Sequence, residues 1–133
     1  MKAVCLDTRV LSSFLKGKQN ALDLIDDYQS KGFEIYTTTV NISEFFMGMY
    51  KTNILSEKKI KELHDFFETL HPRPIDYKTG FLAGKLYSTE LKGQEIGWRD
   101  TFIAASVLLN GQIIITSNYK HFKRVTDLEV IKF

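Results

Sequence analysis

The chain has a single cysteine, Cys5, which excludes an internal disulfide. It lies inside an apolar run, so it reads as a buried thiol rather than a nucleophile. The three histidines, His64, His71 and His121, have no zinc-ligand spacing and no cysteine near enough in sequence to complete a site. There is no GxGxxG turn for a dinucleotide, no GxxxxGK[ST] phosphate loop and no GxSxG nucleophile elbow. Asp7 is followed by Thr8 and Arg9, so the paired aspartates of an Asp-x-Asp phosphotransferase are missing too. No uncharged apolar stretch is long enough to span a bilayer, and Asp7 comes too early for a signal-peptide core; no membrane partner and a cytoplasmic location are expected. Repeats, low-complexity segments and linkers are all absent, and the only two prolines, Pro72 and Pro74, stand almost together.

What remains is a chain of 133 residues, 44% hydrophobic and 26% charged, which predicts one globular domain over residues 1–133. The net charge of +2, from 18 Lys and Arg against 16 Asp and Glu, permits an anionic partner without requiring one. Ala3-Val4-Cys5-Leu6 is too short for a helix and reads as a buried strand. Leu11, Phe14 and Leu15 have helical spacing up to Gly17, and Leu22, Ile25 and Tyr28 line a second helix ending at Lys31-Gly32. Glu34 to Thr38 reads as a strand from its β-branched and aromatic content. A helix over about 40–51 carries Phe45, Phe46 and Met49, and another starting at Ser56 carries Ile60, Leu63, Phe67 and Leu70. Beyond the prolines, Ile75-Asp76-Tyr77 suggests a short strand, and 79–91 a helix ending at Lys92-Gly93. Asp100 opens a helix with its apolar face at Ile103, Ala104, Val107 and Leu108. Ile113 to Thr116 and Leu128 to Ile131 read as the last two strands. This alternation predicts an α/β fold with a parallel central sheet of about four to five strands, covered by helices on both faces. In such sheets ligands gather outside the carboxyl ends of the strands.

Asp7, Glu44, Asp100 and Asn118 all fall at strand-to-helix or helix-start positions. Each has a structural reading: Asp7 as a helix cap, Glu44 as the partner of Asn41 in a capping box, Asp100 facing the positive end of its helix, and Asn118 capping the turn at Tyr119 to Phe122. Taken together they suggest a site. Three carboxylates brought close would repel by several kcal/mol unless a cation sat between them. Ligands that are all oxygen suit Mg²⁺ or Mn²⁺, which also bind phosphate oxygens. The two readings are compatible.

Leu6-Asp7-Thr8 after a strand, Glu44 in a helix start, Asp100-Thr-Phe-Ile-Ala-Ala, and Thr116-Ser-Asn118-Tyr-Lys-His-Phe122 resemble the PIN-domain ribonucleases, in particular the small VapC-type toxins of toxin–antitoxin pairs. The resemblance runs through essentially the whole chain. It implies a PIN-like fold and a Mg²⁺- or Mn²⁺-dependent endoribonuclease that hydrolyses RNA phosphodiester bonds. Asp7, Glu44 and Asp100 match the family's acidic metal-binding positions, and Asn118 a fourth position that is Asp in some members and Asn in others. Thr8 and Thr116 match polar residues that support the first and fourth positions. Arg9 departs from the pattern, since a small polar residue is usual there.

Arg9, Arg99 and Lys120 neighbour the proposed site elements and are candidates to steer RNA phosphates, or else solvated surface charges. Trp98 and Tyr119 are open to base stacking, whereas Phe102 reads as packing. The apolar positions around Phe45, Phe46, Met47 and Met49, with the resemblance, imply a homodimer and a groove for a helix of a VapB-like antitoxin. Two alternatives stand beside this reading: an RNA-processing PIN nuclease without an antitoxin, and a catalytically inactive PIN-fold binding or scaffold module.

Overall fold

Four short strands pair in parallel in the order β2-β1-β3-β4, with β1 Ala3–Leu6, β2 Glu34–Tyr36, β3 Ile113–Thr116 and β4 Glu129–Lys132. The computed structural model describes residues 2–92 and 96–133. All four residues of β1 are buried, as a strand covered on both faces requires. Its side chains alternate. Val4 and Leu6 join Ile35 and Ile115 in one apolar cluster, and Ala3 and Cys5 join Tyr36 and Ile114 in the other.

Helices α1 (Thr8–Leu15), α2 (Gln19–Ser30), α3 (Thr39–Thr52) and α4 (Glu57–Thr69) supply the first cluster with Val10, Leu11, Ile25, Phe45, Leu63 and Phe67. The second is filled mainly from α5 (Tyr77–Lys85) and α6 (Trp98–Leu108), with Phe122 from the single turn α7 (Tyr119–Phe122). The chain leaves β1 for β2 on one side and later returns to lay β3 on the other. The strand order therefore reverses between β1 and β3, and a crevice opens at their carboxyl ends. Asp7 follows β1 directly there, its backbone N–H donating to Ile115 O at 3.0 Å.

Several local expectations need correction. Ile75-Asp76-Tyr77 is not a strand: Asp76 is the N-cap of α5, its Oδ1 accepting from the Thr79 N–H and hydroxyl, and Tyr77 is already helical. What the prolines flank instead is a one-residue parallel bridge from Arg73 to Thr38, so the sheet has four strands and β2 stops at Tyr36. The helix expected over 79–91 is α5 continued by a π-helical segment, Leu86–Glu90, in which the Leu91 N–H reaches Leu86 O. The expected stop at Gly93 lies outside the described residues. The last strand is shifted by one residue from 128–131.

The caps also move. The N-cap of α3 is Thr38, whose hydroxyl accepts from the Asn41 N–H and donates to Asn41 Oδ1 at 2.6 Å. The Asn41 side chain returns to the Thr38 hydroxyl and not to its backbone N–H, so the pair caps the helix without forming a capping box, and Glu44 belongs to the next turn and caps nothing. Helix α6 starts at Trp98 with Gly97 as its N-cap, which places Asp100 in the first turn. Asp7 and Asn118 hold N-cap positions, but neither side chain makes a capping hydrogen bond.

Candidate active site

Three elements deliver the carboxylates. Asp7 is fixed by the end of β1, Glu44 projects from the second turn of α3, and Asp100 from the first turn of α6. With Thr8, Arg9, Ser117 and Asn118 they line one open cavity of about 530 Å³. Arg9 lies on its wall, exposed. Arg99, also exposed, acts electrostatically on Glu44. Lys120 is exposed on α7 and is not part of the cavity lining.

The inner wall is a hydrogen-bond network. Asp7 is 8% exposed, and both its oxygens are occupied: Oδ1 accepts from Asn41 Nδ2 at 2.8 Å and Oδ2 from the Thr116 hydroxyl at 2.5 Å. Thr116 Oγ1 accepts in turn from the Asn118 N–H at 2.9 Å. Thr8 Oγ1 donates to Glu44 Oε1 at 2.8 Å and accepts from Asn41 Nδ2 at 3.1 Å. Thr8 therefore links the first carboxylate's neighbourhood to the second. On the far side Asn118 Nδ2 donates to Asp100 Oδ2 at 3.0 Å, and His121 Nδ1 lies 3.1 Å from the same oxygen.

Two of these residues were not among the candidates from sequence. Asn41 seemed engaged in capping. Its backbone and Oδ1 do complete the cap, but its amide N–H groups point the other way, to Asp7 and Thr8. A buried amide at the third position of a helix whose next turn carries an acid was the available signal. His121 has no zinc-ligand spacing in the sequence, but its place three residues after Asn118 puts it on the same side of α7.

The electrostatics are those of a site short of positive charge. Burial pushes the Asp7 carboxyl above its ordinary value of 3.8; Thr116, Thr8 and Asn41 pull it back and Asp100 pushes it further up. Glu44 is raised from 4.5, again first by burial, then by Asp7 and Asp100, while Thr8 and Arg99 oppose the rise. Among the described residues no Lys or Arg forms an ion pair with any of the three acids. Nor do three His, Cys, Asp or Glu side chains already converge on one chelating point among those residues. The carboxylates surround a space. An oxygen-only set of this kind fits a hard divalent cation that keeps part of its water shell, and a Mg²⁺ or Mn²⁺ ion matches it in charge and in ligand type.

The aromatic candidates divide. Phe102 is partly buried against the core and meets Trp98 edge to face at 5.9 Å, while Trp98 is 63% exposed. Tyr119 has the Lys132 ammonium 4.9 Å from its ring centroid, and that of Lys123 at 5.7 Å.

The PIN domain family matches residues 4–128. The chain is 25% identical over 126 residues to the protein named Ribonuclease VapC2 of Haemophilus influenzae, covering 92% of each. Among solved structures, it superposes on a chain of the VapBC2 complex of Rickettsia felis bound to a DNA fragment from its promoter, with TM-score 0.78, 24% identity and 98% of each chain covered. The VapBC-1 structure from nontypeable Haemophilus influenzae gives TM-score 0.80 at 24% identity, with 98% of this chain and 97% of that one covered.

Proposed function

The chain belongs to the PIN-domain family, and from that premise we propose that it is a metal-dependent endoribonuclease, the toxin of a VapBC-type pair. One observation carries the reading: Asp7, Glu44 and Asp100, far apart in sequence, line one open cavity at the β1/β3 reversal with no Lys or Arg paired to them among the described residues. The name of the Haemophilus influenzae relative, a ribonuclease, supports the choice of RNA as substrate.

In this reading Asp7, Glu44 and Asp100 hold Mg²⁺ or Mn²⁺ directly or through its waters. Bound there, the ion supplies a water of lowered pKa and neutralises charge on the phosphoryl oxygens. The rest is done by the chain. Asn41 and Thr116 fix Asp7, and Thr8 orients Glu44. Arg9 takes a phosphate oxygen of the RNA from the cavity wall, with Arg99 beside Glu44 and Lys120 further out adding positive potential along the backbone.

A second depression, of about 440 Å³, lies between α1, α3 and α4 and shares Thr8 and Glu44 with the carboxylate cavity. Leu15, Phe45, Met49 and Leu63 give it an apolar lining, with Lys16 and Lys59 at hand. Helix-in-groove docking needs such a surface, and an antitoxin helix seated here would run up to the carboxylates. The toxin–antitoxin complexes among the structural neighbours support an antitoxin as the partner. The free toxin is a cytoplasmic homodimer in this proposal. No helix among the described residues is long and apolar enough to cross a membrane.

The chemistry is tested at the ends of the cut RNA. Attack by water predicts fragments with 5′-phosphate and 3′-hydroxyl termini. Fragments ending in 2′,3′-cyclic phosphate would mean that the ribose hydroxyl is the nucleophile, and would contradict the scheme.

A further inference from the structure

Asp7 and Asp100 are held differently. Both Asp7 oxygens accept hydrogen bonds, whereas on Asp100 the contacts among the described residues all fall on Oδ2. Asn118 Nδ2 lies 3.0 Å from that oxygen, His121 Nδ1 lies 3.1 Å from it, and the two nitrogens are 2.9 Å apart. A carboxylate oxygen only accepts, so the arrangement that satisfies Asp100 has two N–H groups converging on Oδ2. The opposite tautomer would let Nδ1 accept from Asn118 Nδ2, but it would set a lone pair 3.1 Å from a carboxylate oxygen, where the two repel. With Nδ1–H in place, Oδ2 is tied from two directions and rotation of the carboxylate is fixed. Oδ1 is then presented to the cavity that Asp100 lines.

We propose that His121 is a positioning residue which, with Asn118, sets the rotation of the Asp100 carboxylate so that Oδ1 faces the cation. The inference rests on the reading of this cavity as a divalent-metal site. The turn that carries His121 does not need the imidazole to hold its shape. Phe122 beside it is fully buried in the core, the His121 N–H donates to Asn118 O, and the Asn118 N–H is anchored on Thr116. The imidazole itself is half-buried, and its hydrogen-bond contacts are to Asn118 and Asp100. Such outer partners of metal-binding side chains set ligand orientation and affinity.

The test is Mn²⁺ binding to the purified full chain, without RNA, read by the loss of the free-ion electron paramagnetic resonance signal. Replacing the donor by a ring of similar shape, His121→Phe, should weaken Mn²⁺ binding by about tenfold while leaving the melting temperature unchanged. His121→Asn, whose amide N–H reaches the position of Nδ1, should recover most of that loss. Asp100→Asn is the reference for loss of the ligand itself. If Asp100→Asn loses affinity while His121→Phe binds like the unmodified chain, His121 does not position Asp100. Equal weakness of His121→Asn and His121→Phe would also overturn the role. An unmodified chain that binds no Mn²⁺, or binds it no better than Asp100→Asn, would overturn the metal reading and this inference with it.

Discussion

At the scale of single residues, the site is defined by what it lacks in compensation. Asp7 is buried, and its three neutral donors, Thr116, the Thr8 backbone and Asn41, only partly offset the cost of ionising it. Its folded pKa is raised, so the stability that goes with its protonated form is present below the ordinary carboxylate range and is lost as pH rises through the folded value. Keeping Asp7 in the metal-free fold at neutral pH therefore costs stability, either as a buried charge or as a proton taken up on folding. Asp7→Asn removes the ionisation and should melt a few degrees higher than the unmodified chain at pH 7 in EDTA, with the difference closing as pH is lowered towards 4. Scanning calorimetry at the two pH values decides it, and a variant that melts lower at pH 7 would show that the Thr116 and Asn41 hydrogen bonds outweigh the charge. Legibility at this scale followed the type of signal available. Acids placed after a strand or near a helix start stand out because their charge is unusual at a buried seam. Asn41 and His121 did not, because their roles depend on the direction of an amide and a ring, which spacing alone does not give.

At the scale of elements, apolar periodicity located most helices and strands, and the errors fell at ends. Asp100 looked like the opening of α6, yet Gly97 takes the cap and Trp98 and Arg99 are already helical; both are exposed and lie off the apolar face by which the helix was recognised. The stretch after Pro74 looked extended from its β-branched and aromatic side chains, but Asp76 caps a helix there and overrides them. The join between α6 and β3 is sensitive to a single residue. Gly111 has φ +99°, and a Cβ at this position would stand 2.8 Å from Ala3 O of β1. Gly111→Ala should cost about 1–3 kcal/mol through backbone strain alone, and more if β1 has to shift. Urea unfolding measures the loss. A change below the resolution of that experiment would mean the turn has room that the contact to Ala3 denies.

For the whole molecule, the strand order β2-β1-β3-β4 accounts for the placement of the site, since it forces the reversal that brings Asp7 and the β3–α7 turn together. Alternating strands and helices made the layered architecture legible, and helices cover both faces; the order of the strands was not legible, because pairing is a long-range choice. Of the apolar surplus expected at Phe45, Phe46, Met47 and Met49, Phe45 is buried and Phe46 packs beside it on Phe67, while Met47 is 54% exposed and Met49 lines the depression between α1, α3 and α4. More is exposed on the α5–α6 side, where Tyr77, Phe81, Tyr87 and Trp98 are 85%, 66%, 53% and 63% exposed. That surface supports a homodimer, and light scattering at micromolar protein should give the mass of two chains; a monomer alone would contradict it. The central claim, a metal-dependent nuclease at the three acids, is tested most directly by cleavage of an end-labelled structured RNA with Mg²⁺ or Mn²⁺ and with EDTA, beside Asp7→Asn and Asp100→Asn. EDTA should stop the cutting, and each substitution should lower it by about a hundredfold or more with both variants still folded. Cutting that survives EDTA and both substitutions would place the activity elsewhere and contradict the claim.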